Sequence, residues 1–202
     1  MKIFCIGRNY SEHAKELGNA VPENPVVFAK PDTALLKNGE DFYLPAFSQD
    51  VHHELELVIK IAKVGKNIQE KFAANYFNEI GLGIDFTARD LQAQLKSKGL
   101  PWELAKGFDG SAPIGQFVSV QDLDLNNINF TLLKNGQLVQ TGNSKDMIFN
   151  FAKIVSFISQ YFTLKVGDLI YTGTPAGVGP VAIGDVLEGF MENKSMLKFE
   201  IK

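Results

Sequence analysis

A mainly β fold with a few helices (α+β) is what this 202-residue chain predicts, on three observations. Residues 52–59, His-His-Glu-Leu-Glu-Leu-Val-Ile, alternate polar with apolar side chains and end on β-branched ones, the period of a strand. Asn135-Gly136 lies between strand-like runs at 128–134 and 137–141, the strongest short signal for a hairpin. Most other apolar runs are short and are punctuated by 18 glycines and 8 prolines, leaving few windows long enough for a helix.

In chain order, residues 3–6 read as a strand ended by a turn at Gly7. Ser11–Leu17 forms a short helix on this reading, with Ser11 as N-cap and Gly18 as terminator. Residues 26–30 and 54–62 are strands, and 69–77 is helical because Phe72 and Tyr76 are four apart. Residues 79–86 form a strand whose glycines suggest close approach of the backbone to a neighbour. Thr87-Ala88-Arg89-Asp90 resembles a capping box, with Asp for the usual Glu, opening a helix to about Ser97 that Gly99 closes. Ser144 is expected to cap a helix running to about residue 161, with Ile148, Phe151, Ile154, Val155 and Ile158 facing inward. From Leu164 onward the pattern is strand, Gly-rich loop and strand.

The length suits a single domain, residues 1–202, with a sizeable core. A net charge of -3, from 20 basic and 23 acidic residues, leaves no electrostatic footprint for nucleic acid or an anionic membrane. Cys5 is the only cysteine, so no internal disulfide forms; its apolar neighbours make it a buried small hydrophobe, and a cytoplasmic location is expected. The apolar start is too short for a signal peptide, and no apolar run approaches the roughly 18 residues of a membrane span. Exposed strand edges and 16 phenylalanines make a homodimer the expected assembly.

Side chains two apart on a strand share a face, so Glu54 and Glu56 stand together with Cα atoms about 6.6 Å apart. Such a pair either binds a hard cation through oxygen or forms a solvated strand face. Asp85, after the glycine-slimmed strand, is the third carboxylate that octahedral Mg²⁺ or Mn²⁺ would need, or else a turn residue. His52 and His53 read as orienting or structural neighbours of the carboxylates, since no second His or Cys pair supports zinc. His13 and Glu16, three apart on one helix face, suit a general-base dyad or a surface ion pair. Lys106, among apolar and glycine residues, either aims at an anion or snorkels to water. Arg89 and Gln92 share a helix face and could hold a carboxylate; Lys30, ending a strand, is equally open. The loop Thr172-Gly173-Thr174-Pro175-Ala176-Gly177 offers open backbone and hydroxyl donors but lacks the ending of a phosphate-binding P-loop.

Taken in order, these segments resemble the fumarylacetoacetate hydrolase family. The motifs are Gly7-Arg8-Asn9-Tyr10 with His13 and Glu16; Phe28-Ala29-Lys30-Pro31; His52-His53-Glu54-Leu55-Glu56-Leu57; Gly83-Ile84-Asp85-Phe86-Thr87-Ala88-Arg89-Asp90-Leu91-Gln92; Gly99-Leu100-Pro101-Trp102 with Lys106-Gly107-Phe108-Asp109; and Gly167-Asp168 with Thr172-Gly173-Thr174-Pro175. The set spans nearly the whole chain and is similar to the single-domain acylpyruvases and oxaloacetate decarboxylases. The resemblance implies a mixed β-roll, usually dimeric. It implies Glu54, Glu56 and Asp85 as ligands of Mg²⁺ or Mn²⁺, and His13 with Glu16 as the water-activating dyad. Lys106 would stabilise developing negative charge, and Lys30, Arg89, Gln92 and Thr174 would contact a small 2-oxo acid. The expected reaction is cleavage of a carbon–carbon bond in a 3-acylpyruvate, with oxaloacetate decarboxylation through the same enolate. The main rival is isomerisation or decarboxylation of 2-hydroxy-dienedioates. A non-catalytic carboxylate-binding module on the same scaffold is the reading from a different class.

Overall fold

The computed structural model describes residues 1–12, 21–37 and 39–202. The expected helix over Ser11–Leu17 therefore falls, with His13 and Glu16, almost wholly outside the described residues. Strand is the commonest regular structure in the rest and forms three sheets.

The largest sheet has the order β2-β1-β11-β5-β6-β8-β3, built from Val26–Lys30 (β2), Ile3–Gly7 (β1), Leu169–Tyr171 (β11), Leu55–Ile61 (β5), Phe77–Ile84 (β6), Ala112–Ser119 (β8) and Leu35–Leu36 (β3). It is mixed, because β1 runs parallel to β11 and β3 parallel to β8 while the other pairs are antiparallel. A four-stranded sheet comprises Gln137–Asn143 (β10), Asn129–Lys134 (β9), Val186–Met191 (β13) and Lys194–Glu200 (β14). A small third sheet joins Gly179–Pro180 (β12), Val51–His53 (β4) and Thr87–Ala88 (β7). The four-stranded sheet packs on the large one so closely that a Cβ at Gly115 would meet the Met196 carbonyl oxygen at 2.2 Å. One apolar core fills the space between them, with Leu55, Leu57, Leu82, Leu132 and Leu187 fully buried. This curled, mixed sheet is the expected β-roll. Three α-helices flank it among the described residues: Arg89–Ser97 (α1), Glu103–Lys106 (α2) and Phe151–Tyr161 (α3).

Four local expectations change. The strand expected through residues 52–59 is two strands broken at Glu54, because β4 pairs in the small sheet and β5 in the large one. Glu70–Tyr76 is a 3₁₀ helix, whose three-residue period sets buried Ala73 and half-buried Tyr76 on one side and leaves Phe72 exposed. Thr87 caps nothing: it belongs to β7, α1 begins after Ala88 without a side-chain cap, and Asp90 turns back to accept from the Ser48 hydroxyl and Gln49 N–H. Ser144 opens only a single 3₁₀ turn and its hydroxyl accepts from Ile128 N–H; α3 starts at Phe151, capped by Asn150 accepting from Lys153 N–H. Ile148 consequently lies outside the helix.

Two glycines show the expected close approach. A Cβ at Gly83 would sit 2.5 Å from the Tyr171 ring, and one at Gly81 2.6 Å from the Gln116 carbonyl oxygen. No described helix is long and apolar enough to cross a membrane.

Candidate metal and substrate site

Strand register brings the three carboxylates together. Glu54 occupies the break between β4 and β5, and Glu56 is the second residue of β5. β6 pairs antiparallel with β5, Leu55 opposite Ile84 and Glu56 opposite Gly83, so Asp85 emerges beside Glu54. The Asp85 N–H donates to the Glu54 carbonyl at 2.8 Å, which pins the junction. One oxygen from each of Glu54, Glu56 and Asp85 lies within 4.8 Å of the others, and all three residues are buried. The solvated-face alternative is excluded by that burial, and Asp85 is no mere turn residue.

Three cations bracket the triad. Lys106, ending α2, donates to Glu54 Oε2 at 2.8 Å and to Asp85 Oδ2 at 2.7 Å, and its ring neighbour Phe28 lies 5.2 Å beneath the ammonium. Burial would push that ammonium down, but Asp85 and Glu54 outweigh it and hold the group above the ordinary lysine range. Lys106 is thus buried against Glu54 and Asp85, not snorkelling to water. Arg89 Nη2 reaches Glu54 Oε1 at 2.5 Å while its Nη1 donates to Gln92 Oε1 at 2.8 Å. Lys30 lies behind the site: its ammonium contacts Asp85 Oδ1 at 2.7 Å, the Ser111 carbonyl at 2.7 Å and the Ser111 hydroxyl at 3.1 Å. The expected substrate contact by Lys30 gives way to a supporting role, because these partners use its donors away from the pocket.

Glu56 stands differently. Its Oε2 accepts from Gly173 N–H at 2.7 Å, a contact made possible by the φ of 101° at Gly173. Burial, then the charges of Asp85 and Glu54, push its carboxyl well above the usual range despite that bond. A triad of hard oxygen donors with one member so disfavoured as an anion fits a divalent cation such as Mg²⁺ or Mn²⁺. Three carboxylates already face three cations, so such an ion would leave the site net positive and suited to an anionic ligand.

A pocket open to solvent lies above the triad. Arg89, Gln92, Lys106 and Thr174 line it, together with Arg8, Phe28, Lys96 and Trp102. The Thr174 hydroxyl is placed by Gln140, whose Nε2 donates to it at 2.9 Å and to the Pro175 carbonyl at 3.1 Å. The other end of Gln140 accepts from Leu55 N–H at 3.0 Å and meets His53 Nδ1 at 3.0 Å. The histidines therefore do not orient the carboxylates: His53 serves Gln140, and His52 contacts Asp50 at 2.8 Å. Burial is the largest influence on the His53 ring and lowers its pKa. Sequence reasoning missed Gln140, which on a strand shows no signal beyond being polar. Asn9, quoted in the Gly7-Arg8-Asn9-Tyr10 motif without a role, is buried and tied to the Phe149 and Thr172 carbonyls at 3.0 and 2.7 Å. His13 and Glu16 lie outside the described residues.

Residues 2–202 match the fumarylacetoacetate (FAA) hydrolase C-terminal family. The chain is 43% identical over 204 residues to the oxaloacetate tautomerase FAHD1, mitochondrial, of Arabidopsis thaliana, covering all of this chain (100%) and 91% of the relative. It is 44% identical over 189 residues to the oxaloacetate decarboxylase, mitochondrial, of Dictyostelium discoideum, covering 93% and 87% of the two chains. The fumarylpyruvate hydrolase of Pseudomonas aeruginosa, solved in complex with Mn²⁺ and pyruvate, superposes with a TM-score of 0.94 at 33% identity, covering 100% of this chain and 89% of that one.

Proposed function

The chain belongs to the fumarylacetoacetate hydrolase family, and on that premise we propose that it is a Mg²⁺- or Mn²⁺-dependent enzyme that cleaves 3-acylpyruvates to pyruvate and a carboxylic acid. The observation that carries this is the buried triad Glu54, Glu56 and Asp85, with oxygens within 4.8 Å, beneath a pocket lined by Lys106, Arg89, Gln92 and Thr174.

A divalent ion held by the triad would supply Lewis acidity at the substrate's 2-oxo oxygen. Arg89 and Gln92 present donors to the substrate carboxylate. Lys106, beside Asp85 and Glu54, offers a donor to the oxygen where enolate charge develops, and the Thr174 hydroxyl adds a second. The role of general base, which takes a proton from water, falls to the dyad that the family resemblance implies, His13 with Glu16. The water oxygen adds to the distal carbonyl, the bond from that carbon to C3 breaks, and its electron pair passes into the pyruvate enolate. Protonation of C3 completes the products.

A second reading, oxaloacetate as substrate, is favoured by the names of the two relatives above. Its decarboxylation and its keto–enol interconversion need the enolate-stabilising half of the site but no attacking water.

The test is metal-dependent turnover by stripped and reloaded protein given fumarylpyruvate, acetylpyruvate, oxaloacetate and a hydroxy-dienedioate in parallel. Pyruvate and carboxylic acid released from an acylpyruvate only after Mn²⁺ or Mg²⁺ addition is the expected result. A spectral shift confined to the dienedioate, with no pyruvate anywhere, would replace hydrolysis with isomerisation.

A further inference from the structure

Gln140 is buried, and its polar neighbours fix which way its amide points. It lies just past a bulge in β10, where the pairing steps from Leu138–Leu133 to Gln140–Leu132 and Val139 is the extra residue. Its Oε1 takes the Leu55 N–H at 3.0 Å, and its Nε2 gives to the Pro175 carbonyl at 3.1 Å. Both partners are backbone groups of fixed polarity, so a turned amide would set donor against donor and acceptor against acceptor. Two neighbours of variable polarity then have no choice. Oε1 can only accept, so His53 Nδ1, 3.0 Å away, carries a hydrogen. Nε2 can only donate, so the Thr174 oxygen, 2.9 Å away, gives a lone pair to it.

The Thr174 hydrogen must therefore point away from Gln140. The Pro175 carbonyl is 3.5 Å from the hydroxyl, too long for a good O–H bond, and it already accepts from Gln140. The pocket, which Thr174 lines, is where the hydrogen is left to point. Gln140 itself does not line the pocket, so its effect on a ligand passes through Thr174.

We propose that Gln140 is a positioning residue that makes Thr174 a hydrogen-bond donor to the pocket, with His53 holding the amide in that sense, so that a ligand oxygen carrying negative charge is favoured beside Thr174. Gln140 and His53 thus set the polarity of a group they do not share with the ligand; the 2-oxo acid reading above enters only through the ligand that tests it.

The experiment measures equilibrium binding of pyruvate to the Mn²⁺-loaded protein. It compares the parent chain, Gln140→Glu, Gln140→Met, Thr174→Val and the two double variants, with melting temperatures as the folding control. Gln140→Glu keeps an acceptor for Leu55 and His53 but faces Thr174 with a lone pair, whether ionised or with its hydrogen on the Pro175 carbonyl, and so turns the hydroxyl away from the ligand. Gln140→Met deletes every bond but leaves the hydroxyl free to turn. Pyruvate affinity should fall about tenfold in Gln140→Glu and less in Gln140→Met, and neither change should cost more in the Thr174→Val background. A purely structural role predicts the reverse order, because Gln140→Met strands more groups, and an undiminished loss in the Thr174→Val background; either result overturns the proposal. Should Gln140→Glu not fold, the cycle of Gln140→Met with Thr174→Val decides alone, additive losses counting against it. If the parent chain binds no pyruvate, the 2-oxo acid reading fails by itself, and nitrogen NMR of the His53 ring still decides the polarity. A hydrogen on Nδ1 upholds it, and a bare Nδ1 overturns it.

Discussion

Glu56 shows how much a single residue's meaning depends on its surroundings. On the strand it is one of two alternating carboxylates; folded, it is fully buried, next to Asp85 and Glu54, and disfavoured as an anion. Glu56→Gln should weaken Mn²⁺ binding by at least about tenfold, since even the outer partners of metal ligands cost that much, and should lower hydrolysis and decarboxylation together. Calorimetric titration of the stripped protein checks it, and unchanged affinity would remove Glu56 from the ligand set. His13→Ala makes the opposite test. Loss of general-base assistance should reduce acylpyruvate hydrolysis by roughly 100-fold or more while sparing most oxaloacetate decarboxylation. Equal loss of both, in parallel assays, would count against water activation by His13. Lys30 was readable only as ambiguous. Its position at the end of a strand is visible in the chain, but not the Ser111 oxygens and Asp85 that hold it 81 and 55 positions away.

At the scale of elements, the turns divide by residue type. Asn135-Gly136 forms the expected hairpin because both residues take positive φ, 54° and 77°, and the turn is then clasped to Asp185: Asn135 Nδ2 donates to Asp185 Oδ1 at 2.7 Å. Burial would raise the Asp185 carboxyl, but the Ala182 N–H, Asn135 and Lys134 together hold it below the ordinary aspartate range. A depressed folded pKa means that stability is present above the unfolded value of about 3.9 and is lost as the pH falls through the folded one. Asp185→Asn should therefore cost about 1 kcal/mol at pH 7, and the difference from the parent chain should shrink in acid. Urea titrations at the two pH values decide this; a gap that persists unchanged in acid would mean that charge is not what the clasp uses. The hairpin at Glu192-Asn193 has the same geometry, φ 47° and 64°, yet escaped the sequence reading because neither residue is glycine. Likewise the residues expected as a Thr87 capping box and a Ser144 helix start have the right composition. Tertiary pairing drew Thr87 into β7, and the Ser144 hydroxyl into a bond with Ile128, instead.

For the whole molecule, the site exists because strands of different sheets end at one place. Gln140 ties them: from β10 in the four-stranded sheet it holds the Leu55 N–H just after the Glu54 break, the His53 ring of the small sheet, and Thr174 of the loop after β11. Gln140→Leu keeps the bulk but strands a buried N–H, so a loss of about 2 kcal/mol is expected. A fall in kcat should accompany it as Thr174 and the Glu54 junction lose their common anchor. Chemical denaturation and steady-state kinetics on the same preparation check both; a stable variant with full kcat would show that Gln140 merely fills space.

The chain's local pattern was sufficient for the mostly β character, for the Asn135-Gly136 turn and for the pairing of Glu54 with Glu56, because period and turn chemistry act over a few residues. Its ordered motifs were sufficient for the family. The break at Glu54, the arrival of Asp85 beside it and the withdrawal of Lys30 behind it come from folding across the sheets. Each depends on strand register between segments tens of residues apart, where one step of slip would turn every side chain to the opposite face, and no local window records that register.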